Sequence, residues 1–210
     1  MRVATFNIQS CRAGVERVAD VLRATGAEVL LLTEVRRAHL RPLAQATSMR
    51  ATFGRTWRFK PFGNAILTRE GHQRVLHVRF SRTPNRQPRG MVAVRLVSGL
   101  TVAVTHLGLS PDERVRHAKE CLAALSPFRD PVVLAGDLND LPSGPAVGVL
   151  LARFRDAFPA VGAEPSLTHP AESPVRRIDY VLVSGITVRK ATVVPLIASD
   201  HLPVVAELVV

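Results

Sequence analysis

The sequence has little cysteine, few aromatic residues and no long apolar run, and each shortage excludes a class of protein. Two cysteines, Cys11 and Cys121, are too few and too far apart for a disulfide framework or a cysteine-based metal site. No apolar run approaches the roughly 20 residues of a membrane span, and the strand-like start at Arg2 predicts no signal peptide. Aromatic residues are only 5% of the chain, which argues against a stacking platform for single-stranded nucleic acid. We therefore expect a cytoplasmic protein with reduced thiols, and a monomer.

Lysine is also scarce, although the chain is strongly basic. Lysine and arginine together number 28 against 17 acidic residues, which gives a net charge of +11. Only Lys60, Lys119 and Lys190 are lysines, so arginine supplies almost all of the positive charge. Such a charge indicates a polyanionic partner, with nucleic acid the first candidate. An arginine-rich composition without phosphate binding would give the same count.

The pattern of apolar residues predicts an α/β protein with more strands than helices. The 210 residues suit one domain, 1–210. Helical spacing predicts helices over Gly14–Thr25, over Arg36–Met49 with an interruption near Pro42, and over Pro111–Leu125. The predicted strands are Arg2–Asn7, Glu28–Thr33, Thr56–Phe59, Asn64–Thr68, Gln73–Phe80, Gly90–Val97, Thr101–His106, one ending at Asp137, Ile178–Val183, Ile186–Val194 and Val204–Val209. Two mixed β-sheets packed face to face with helices outside fit this pattern.

The most informative stretch is Val132–Asp140, in which an apolar, β-branched run ends in a glycine and then in alternating polar residues. Asp137 and Asn139 are two positions apart, so in an extended strand their side chains project to the same side. A carboxylate and a carboxamide placed together can bind a cation, take a proton or donate to a phosphate oxygen. By itself, an Asp-x-Asn pair at the end of a strand more often belongs to a turn than to a functional site.

Other strands also end in polar residues. Each has a structural alternative: a turn former, a helix N-terminal charge, a buried histidine, a simple ion pair. Carboxylates are costly to bury unless they are paired or bind a metal, and their joint occurrence favours a site. The residues at the strand ends are Asn7, Glu34, His106, Asp137, Asn139, Asp179, Asp200 and His201.

Together these segments resemble the endonuclease/exonuclease/phosphatase family, which includes deoxyribonucleases and sphingomyelinases. The matching segments occur in the family's order from Phe6 to Val204: T-F-N-I, L-L-T-E-V, G-N-A-I-L-T-R, T-H-L, A-G-D-L-N-D, R-I-D-Y-V-L-V and S-D-H-L-P-V. The resemblance implies a four-layer α/β sandwich with its active site at one end of the two sheets. It also implies a metal-dependent phosphoesterase.

The resemblance also implies a role for each residue. Glu34 would be the main ligand of a divalent metal ion, with Asn7 beside it and Asp200 as a further ligand or support. Asp137 and Asn139 would flank the attacked phosphorus, and His201 and His106 would move protons. Asp179 would orient His201, which strand geometry also favours, because Asp200 and His201 are adjacent and point oppositely. Substrate contacts would come from Asn64, from Arg89 at the scissile phosphate, and from Arg82 and Arg86.

The predicted metal is Mg²⁺ or Mn²⁺, because the ligands are oxygens and include one or two carboxylates. No cysteine or histidine group has the spacing of a zinc site. The T-H-L segment differs from the tyrosine- and asparagine-containing motif of apurinic endonucleases, so abasic-site repair is not expected. Thr33 stands where many members have glutamine, which puts one supporting contact in doubt.

The function predicted from the sequence is a divalent-metal phosphodiester hydrolase, most simply a nuclease acting on DNA or RNA. A phosphomonoesterase or a sphingomyelinase-like hydrolase of phospholipid headgroups is the alternative, because the shared motifs do not distinguish these substrates. A basic nucleic-acid-binding module without catalysis is the least favoured alternative. It would not require polar residues at the ends of so many strands.

Overall fold

The strands of the protein form two six-stranded sheets. The structure is a computed structural model, and it describes residues 1–162 and 166–210. The first sheet has the order β11-β12-β1-β2-β4-β3, in which only β1 and β2 are parallel neighbours. Its strands are β1 (Arg2–Asn7), β2 (Val29–Arg36), β3 (Arg50–Arg55), β4 (Phe62–Thr68), β11 (Thr187–Val193) and β12 (Val204–Val209).

The second sheet repeats this plan, with one parallel pair among antiparallel neighbours. Its order is β5-β6-β7-β8-β10-β9, and β7 and β8 are the parallel pair. Its strands are β5 (His72–Arg79), β6 (Gly90–Leu96), β7 (Thr101–His106), β8 (Val132–Asp137), β9 (Arg155–Asp156) and β10 (Asp179–Ser184).

Helices cover the outer face of each sheet. A core of aliphatic side chains lies between the two sheets, a second joins the first sheet to its helices, and a third does so for the other sheet. In β2, Val29 and Leu31 face the inter-sheet core whereas Leu30 and Leu32 face the helices, so both faces of the strand are buried. The predicted two-sheet sandwich with outer helices is confirmed. The helices are α1 (Val15–Ala24), α2 (Arg37–Thr47), α3 (Pro111–Leu125), α4 (Pro145–Leu151) and α5 (Ala157–Ala160).

Two predicted elements are wrong. The strand expected over Thr56–Phe59 is a loop, and the strand of this region is β3, Arg50–Arg55, which pairs with β4. Helix α2 continues through Pro42 without interruption. Proline removes one backbone hydrogen bond from the helix, but burial of Leu43 on the next position offsets that loss.

The sequence also predicts a loop over Ala160–Val175, and residues 163–165 of that loop lie outside the described residues. In the described part of this loop, His169 forms an isolated antiparallel bridge with Arg176. Both cysteines are buried free thiols. Across the described ranges, no helix combines the length and the apolar character that a membrane crossing requires.

Candidate active site

The site lies at one end of the sandwich, where the two parallel strand pairs end side by side. Strand β1 ends at Asn7, and its partner β2 carries Glu34. Strand β7 ends at His106, which is paired in register with Asp137 at the end of β8. Antiparallel β10 begins there with Asp179, opposite Asp137. The topology therefore brings five polar residues from both sheets to one edge.

The sequence predicts that Glu34 directly follows a strand. In the structure, Glu34 lies within β2, at an irregularity in its pairing with β4. The pairing of β2 with β4 shifts between Leu32 and Val35, and Glu34 has a φ of 56°. A left-handed conformation costs a residue other than glycine about 1–2 kcal/mol. Such strain at a functional position is common where it aims a side chain.

A buried chain of hydrogen bonds joins Arg89 to Asp137. The Arg89 guanidinium lies 2.9 Å from His106 Nδ1, and arginine can only donate, so Nδ1 accepts. The proton of the neutral imidazole is then on Nε2, which lies 3.2 Å from Asp137 Oδ2 and donates to it. Asn7 Nδ2 donates to the same oxygen at 3.0 Å. All four side chains are buried, so this arrangement is fixed before any ligand binds.

The pKa of Asp137 lies below its usual range. Burial opposes ionisation of this carboxyl group, but the contact with His106, the positive charge of His201 and the backbone N–H of Asn139 outweigh it. The Asn139 N–H donates to Asp137 Oδ1 at 2.9 Å. Asp137 is therefore a carboxylate at neutral pH.

Asp137 and Asn139 do face the same site, but strand alternation is not the reason. Strand β8 ends at Asp137, and Asn139 has a left-handed φ of 51°. Its Nδ2 donates to the backbone oxygen of Leu107 at 3.1 Å and lies 3.1 Å from His106 Nε2. The glycine before Asp137 is required, because a Cβ at Gly136 would lie 1.9 Å from the Thr105 backbone oxygen.

His201 and Asp179 form a second buried pair. His201 Nδ1 lies 2.8 Å from Asp179 Oδ2, and His201 Nε2 lies 3.7 Å from Asp137 Oδ2. Burial favours the neutral imidazole, but Asp179, Asp137 and Asp200 outweigh it and raise the pKa of His201 to about 9. Burial raises the pKa of Asp179 as well.

A tight turn at Gln9–Cys11 connects the three residues predicted to hold a metal. The Gln9 N–H donates to Asn7 Oδ1 at 3.1 Å, and Gln9 Nε2 donates to Asp200 Oδ2 at 3.0 Å. Ser10 Oγ donates to the backbone oxygen of Glu34 at 3.3 Å. Neither Gln9 nor Ser10 is predicted as a site residue, since neither carries a charge that would single it out in the sequence.

The Glu34 carboxylate is suited to a cation. Its side chain is 25% exposed, and the nearest histidine nitrogen, His106 Nδ1, is 4.0 Å away and already accepts from Arg89. Within the described chain, no hydrogen bond to this carboxylate is present. Half-buried carboxylate and amide oxygens are ligands that Mg²⁺ and Mn²⁺ prefer. The Glu34 carboxylate therefore suits a hard divalent cation, and Asn7 stays the predicted ligand beside it.

Two other groups of side chains bring possible ligand atoms within 4.8 Å of one another: Asp137, Asp179 and His201, and His169, Asp200 and His201. His169 is a residue that the sequence analysis missed. Its ring centroid lies 4.7 Å from that of His201. No motif singles it out, because it comes from a loop in which a histidine has no distinctive spacing.

The predicted substrate contacts are not all in the site. Asn64 is buried and donates from Nδ2 to the backbone oxygen of Gly90 at 2.9 Å, so it ties β4 to β6 across the two sheets. Arg89 is in the site, as described above. Arg82 and Arg86 are exposed on the loop before Arg89, and no described side-chain hydrogen bond joins them to the site. Substrate contact by these residues stays a prediction.

A sequence model of the endonuclease/exonuclease/phosphatase family matches residues 4–201. The chain belongs to this family. Enzymes of the family are phosphoesterases that depend on divalent metal ions, which agrees with the acidic and histidine side chains gathered here. No curated protein sequence matches the chain.

Solved structures with the same fold cover the full chain. A mannosyl-6-phosphatase from Bacteroides thetaiotaomicron superposes with a TM-score of 0.85 at 18% identity, over 100% of each chain. TDP2 of D. rerio, humanized by 14 mutations, gives 0.79 at 19% identity over 100% of this chain and 99% of the other. The human Nocturnin catalytic domain with bound sulfate gives 0.78 at 19% identity, over 100% and 93%. At these identities the likeness concerns the fold alone.

Proposed function

We propose that the protein is a nuclease, a divalent-metal-dependent phosphodiester hydrolase that acts on DNA or RNA. The observation that carries the substrate proposal is the loop from Ser81 to Arg89. Its last residue is the buried Arg89 of the site, while Arg82 and Arg86 on the same loop are exposed. Cationic side chains therefore lead from solvent to the site, as a polyanionic backbone requires.

The residues divide into a metal-binding group and a group that handles protons. Glu34 and Asn7 would hold Mg²⁺ or Mn²⁺, which when bound neutralises charge on the phosphate oxygens. Asp200 supports this group, because one carboxylate oxygen accepts from Gln9 and the other, Oδ1, accepts from Ser199 Oγ at 3.1 Å.

Asp137 is placed to orient or deprotonate the attacking water. It is ionised, and His106 and Asn7 already donate to one of its oxygens, which holds the carboxylate in one orientation. Asn139, beside it, would contact a phosphate oxygen. His201, whose pKa is raised, would stabilise or protonate a phosphate oxygen, with Asp179 holding its ring. His106, neutral and hydrogen-bonded on both nitrogens, orients Asp137 rather than acting as the acid.

The decisive assay compares substrates. Purified protein with Mg²⁺ or Mn²⁺ is incubated with plasmid, single-stranded DNA, RNA, a phosphomonoester and sphingomyelin. We expect cleavage of a nucleic acid, abolished by EDTA. Turnover of the phosphomonoester or of sphingomyelin, with nucleic acids left intact, would instead support the alternative. A cytoplasmic monomer with one catalytic domain, 1–210, is part of the same proposal, and light scattering tests the monomer.

A phosphomonoesterase remains the second candidate function, because a mannosyl-6-phosphatase has this fold over its whole length. The exposed arginines do not favour it, since a small phosphate ester needs no cationic approach outside the site.

A further inference from the structure

A cavity of about 350 Å³ adjoins the Glu34 side of the site and has no role in the proposed mechanism. Its volume is near the lower end of the about 300–1,000 Å³ typical of small-molecule sites, which suits one nucleotide better than a helix. Seven residues line it: Ser10, Arg36, Trp57, Lys60, Pro61, Phe62 and Gln87.

The cavity is joined to the site at two of its walls. Ser10 holds the backbone oxygen of Glu34, and Arg36 follows Glu34 by two residues. On the other wall Gln87 precedes Arg89 by two residues. Two residues of chain span at most about 7 Å. A ligand with one end at Glu34 and Arg89 can therefore place its next group in the cavity.

The lining combines an aromatic face with positive charge. Lys60 Nζ lies 4.3 Å from the centroid of the Trp57 ring, which is half-buried. Arg36 adds a second cation, and none of the seven lining residues is acidic. The Gln87 carboxamide can both donate and accept at the edge of a bound ring.

The loop that carries Trp57 is fixed to the first sheet at both of its ends. The Thr56 N–H donates to the Phe62 backbone oxygen at 3.1 Å, and the Arg37 N–H donates to the Pro61 backbone oxygen at 2.9 Å. These bonds tie the backbone of the loop to the first sheet at both ends. The backbone of this wall of the cavity is thus preformed.

We infer that this cavity binds one unpaired nucleobase of the nucleotide next to the phosphate that is cleaved. The base stacks on Trp57 after the exposed Lys60 side chain, which lies over the ring, moves aside. A base inside a duplex is stacked on its neighbours and cannot enter, so the substrate is a single strand or a frayed end. The inference rests on the proposed nuclease function and names its substrate class. One well-placed tryptophan is enough for this, although aromatic residues are few.

The first experiment is a double-mutant cycle between protein and substrate. Affinity is measured by anisotropy in Ca²⁺, chosen to slow cleavage, with a fluorescein-labelled single-stranded decamer and with the same decamer made of abasic sugars. Trp57→Ala should weaken binding of the natural decamer roughly 5- to 150-fold, the range for loss of one stacked base. Binding of the abasic decamer should be unchanged, and Trp57→Phe should restore most of the affinity.

Phe59→Ala is the matched control. Phe59 is on the same loop and 83% exposed, but does not line the cavity, so its removal should leave affinity unchanged. Equal weakening of natural and abasic decamers by Trp57→Ala would overturn the inference, because the tryptophan would then act only on the loop. No weakening at all would also overturn it. Wild-type protein that neither binds nor cleaves any nucleic acid would overturn the proposed function itself, and the inference with it.

The second experiment uses intrinsic fluorescence, since Trp57 is the single tryptophan of the chain. We expect the unlabelled single-stranded decamer to quench its emission and the blunt duplex of the same sequence to quench it far less. Inorganic phosphate, which reaches only the site, should leave the emission unchanged. Saturable quenching by mannose 6-phosphate at lower concentration than by the decamer would assign the cavity to a sugar phosphate and overturn the inference.

Discussion

The two parallel strand pairs end at the same place but present opposite kinds of chemistry. The pair β7 and β8 ends in His106 and Asp137, both buried and linked to each other and to Arg89. The pair β1 and β2 presents Glu34, which is partly exposed, strained in its backbone and without a described hydrogen bond to its carboxylate.

The same strand arrangement therefore provides two different functions. Hydrogen bonds hold Asp137 ionised and correctly turned before a substrate arrives, which lowers the reorganisation that catalysis needs. The Glu34 carboxylate, by contrast, accepts no hydrogen bond within the described chain, so its oxygens are available to a cation. The predictions below test each half separately.

Removal of the Glu34 carboxylate should have the largest effect on activity. Glu34→Gln replaces an anion with a neutral amide, a poor ligand for a hard cation, and should abolish hydrolysis while the fold is kept. Calorimetry should record lost Mg²⁺ or Mn²⁺ binding, and the melting temperature should stay close to that of the wild type. Glu16→Gln, an exposed exchange on α1, is the control. Undiminished turnover by Glu34→Gln in limiting Mg²⁺ would remove Glu34 from the site.

The histidine pair should give the next largest effect. His201→Ala should lower kcat by about 10²–10⁴-fold, the usual loss on removing a positioned acid or base. Asp179→Asn should lower kcat less, through misorientation of the ring, and should retain metal affinity. If calorimetry instead found that Asp179→Asn cannot bind metal, with activity lost in parallel, Asp179 would be a ligand.

Breaking the Asn64–Gly90 hydrogen bond between the two sheets should lower the stability of the fold. Asn64→Ala removes the donor to the buried Gly90 oxygen, so the free energy of unfolding should fall by about 1–3 kcal/mol. Urea denaturation measures this change. A variant of unchanged stability that binds substrate more weakly would show that Asn64 serves the substrate rather than the junction.

Substitution of the exposed Arg86 should have the smallest effect. If Arg86 contacts a phosphate, log affinity for single-stranded DNA falls with log salt, and Arg86→Ala should reduce the slope by about 0.7, one contact. All sequences should be weakened alike. The titration is run in Ca²⁺, with hydrolysis of a small phosphomonoester as the control. A wild-type slope near zero would contradict a nucleic-acid substrate.

Much of the fold was predictable because both faces of its strands are buried. Apolar runs such as Val132–Ala135 are long and end at glycine, and they place the polar residues at one edge. The edge strand β3 was missed, since Arg50–Arg55 has no continuous apolar run and its alternation covers only two apolar residues, Ala51 and Phe53. Pro42 indicated a break that packing of Leu43 overrides.

The sequence predicts which residues form the site, but it does not predict the contacts among them. Asp137, His201 and Asp179 follow from sequence motifs, but the direction in which Glu34 points depends on a bulge that no glycine or proline marks. Gln9 and His169 are brought in by a turn and a loop, and such tertiary contacts leave no periodicity in the sequence. The same holds for Trp57, whose neighbours in the cavity come from four separate segments.

The left-handed backbone at Glu34 has a consequence for stability. A residue other than glycine loses about 1–2 kcal/mol there, whereas glycine would lose about 0.5–1 kcal/mol through chain entropy. On stability alone, glycine is therefore the better residue at position 34.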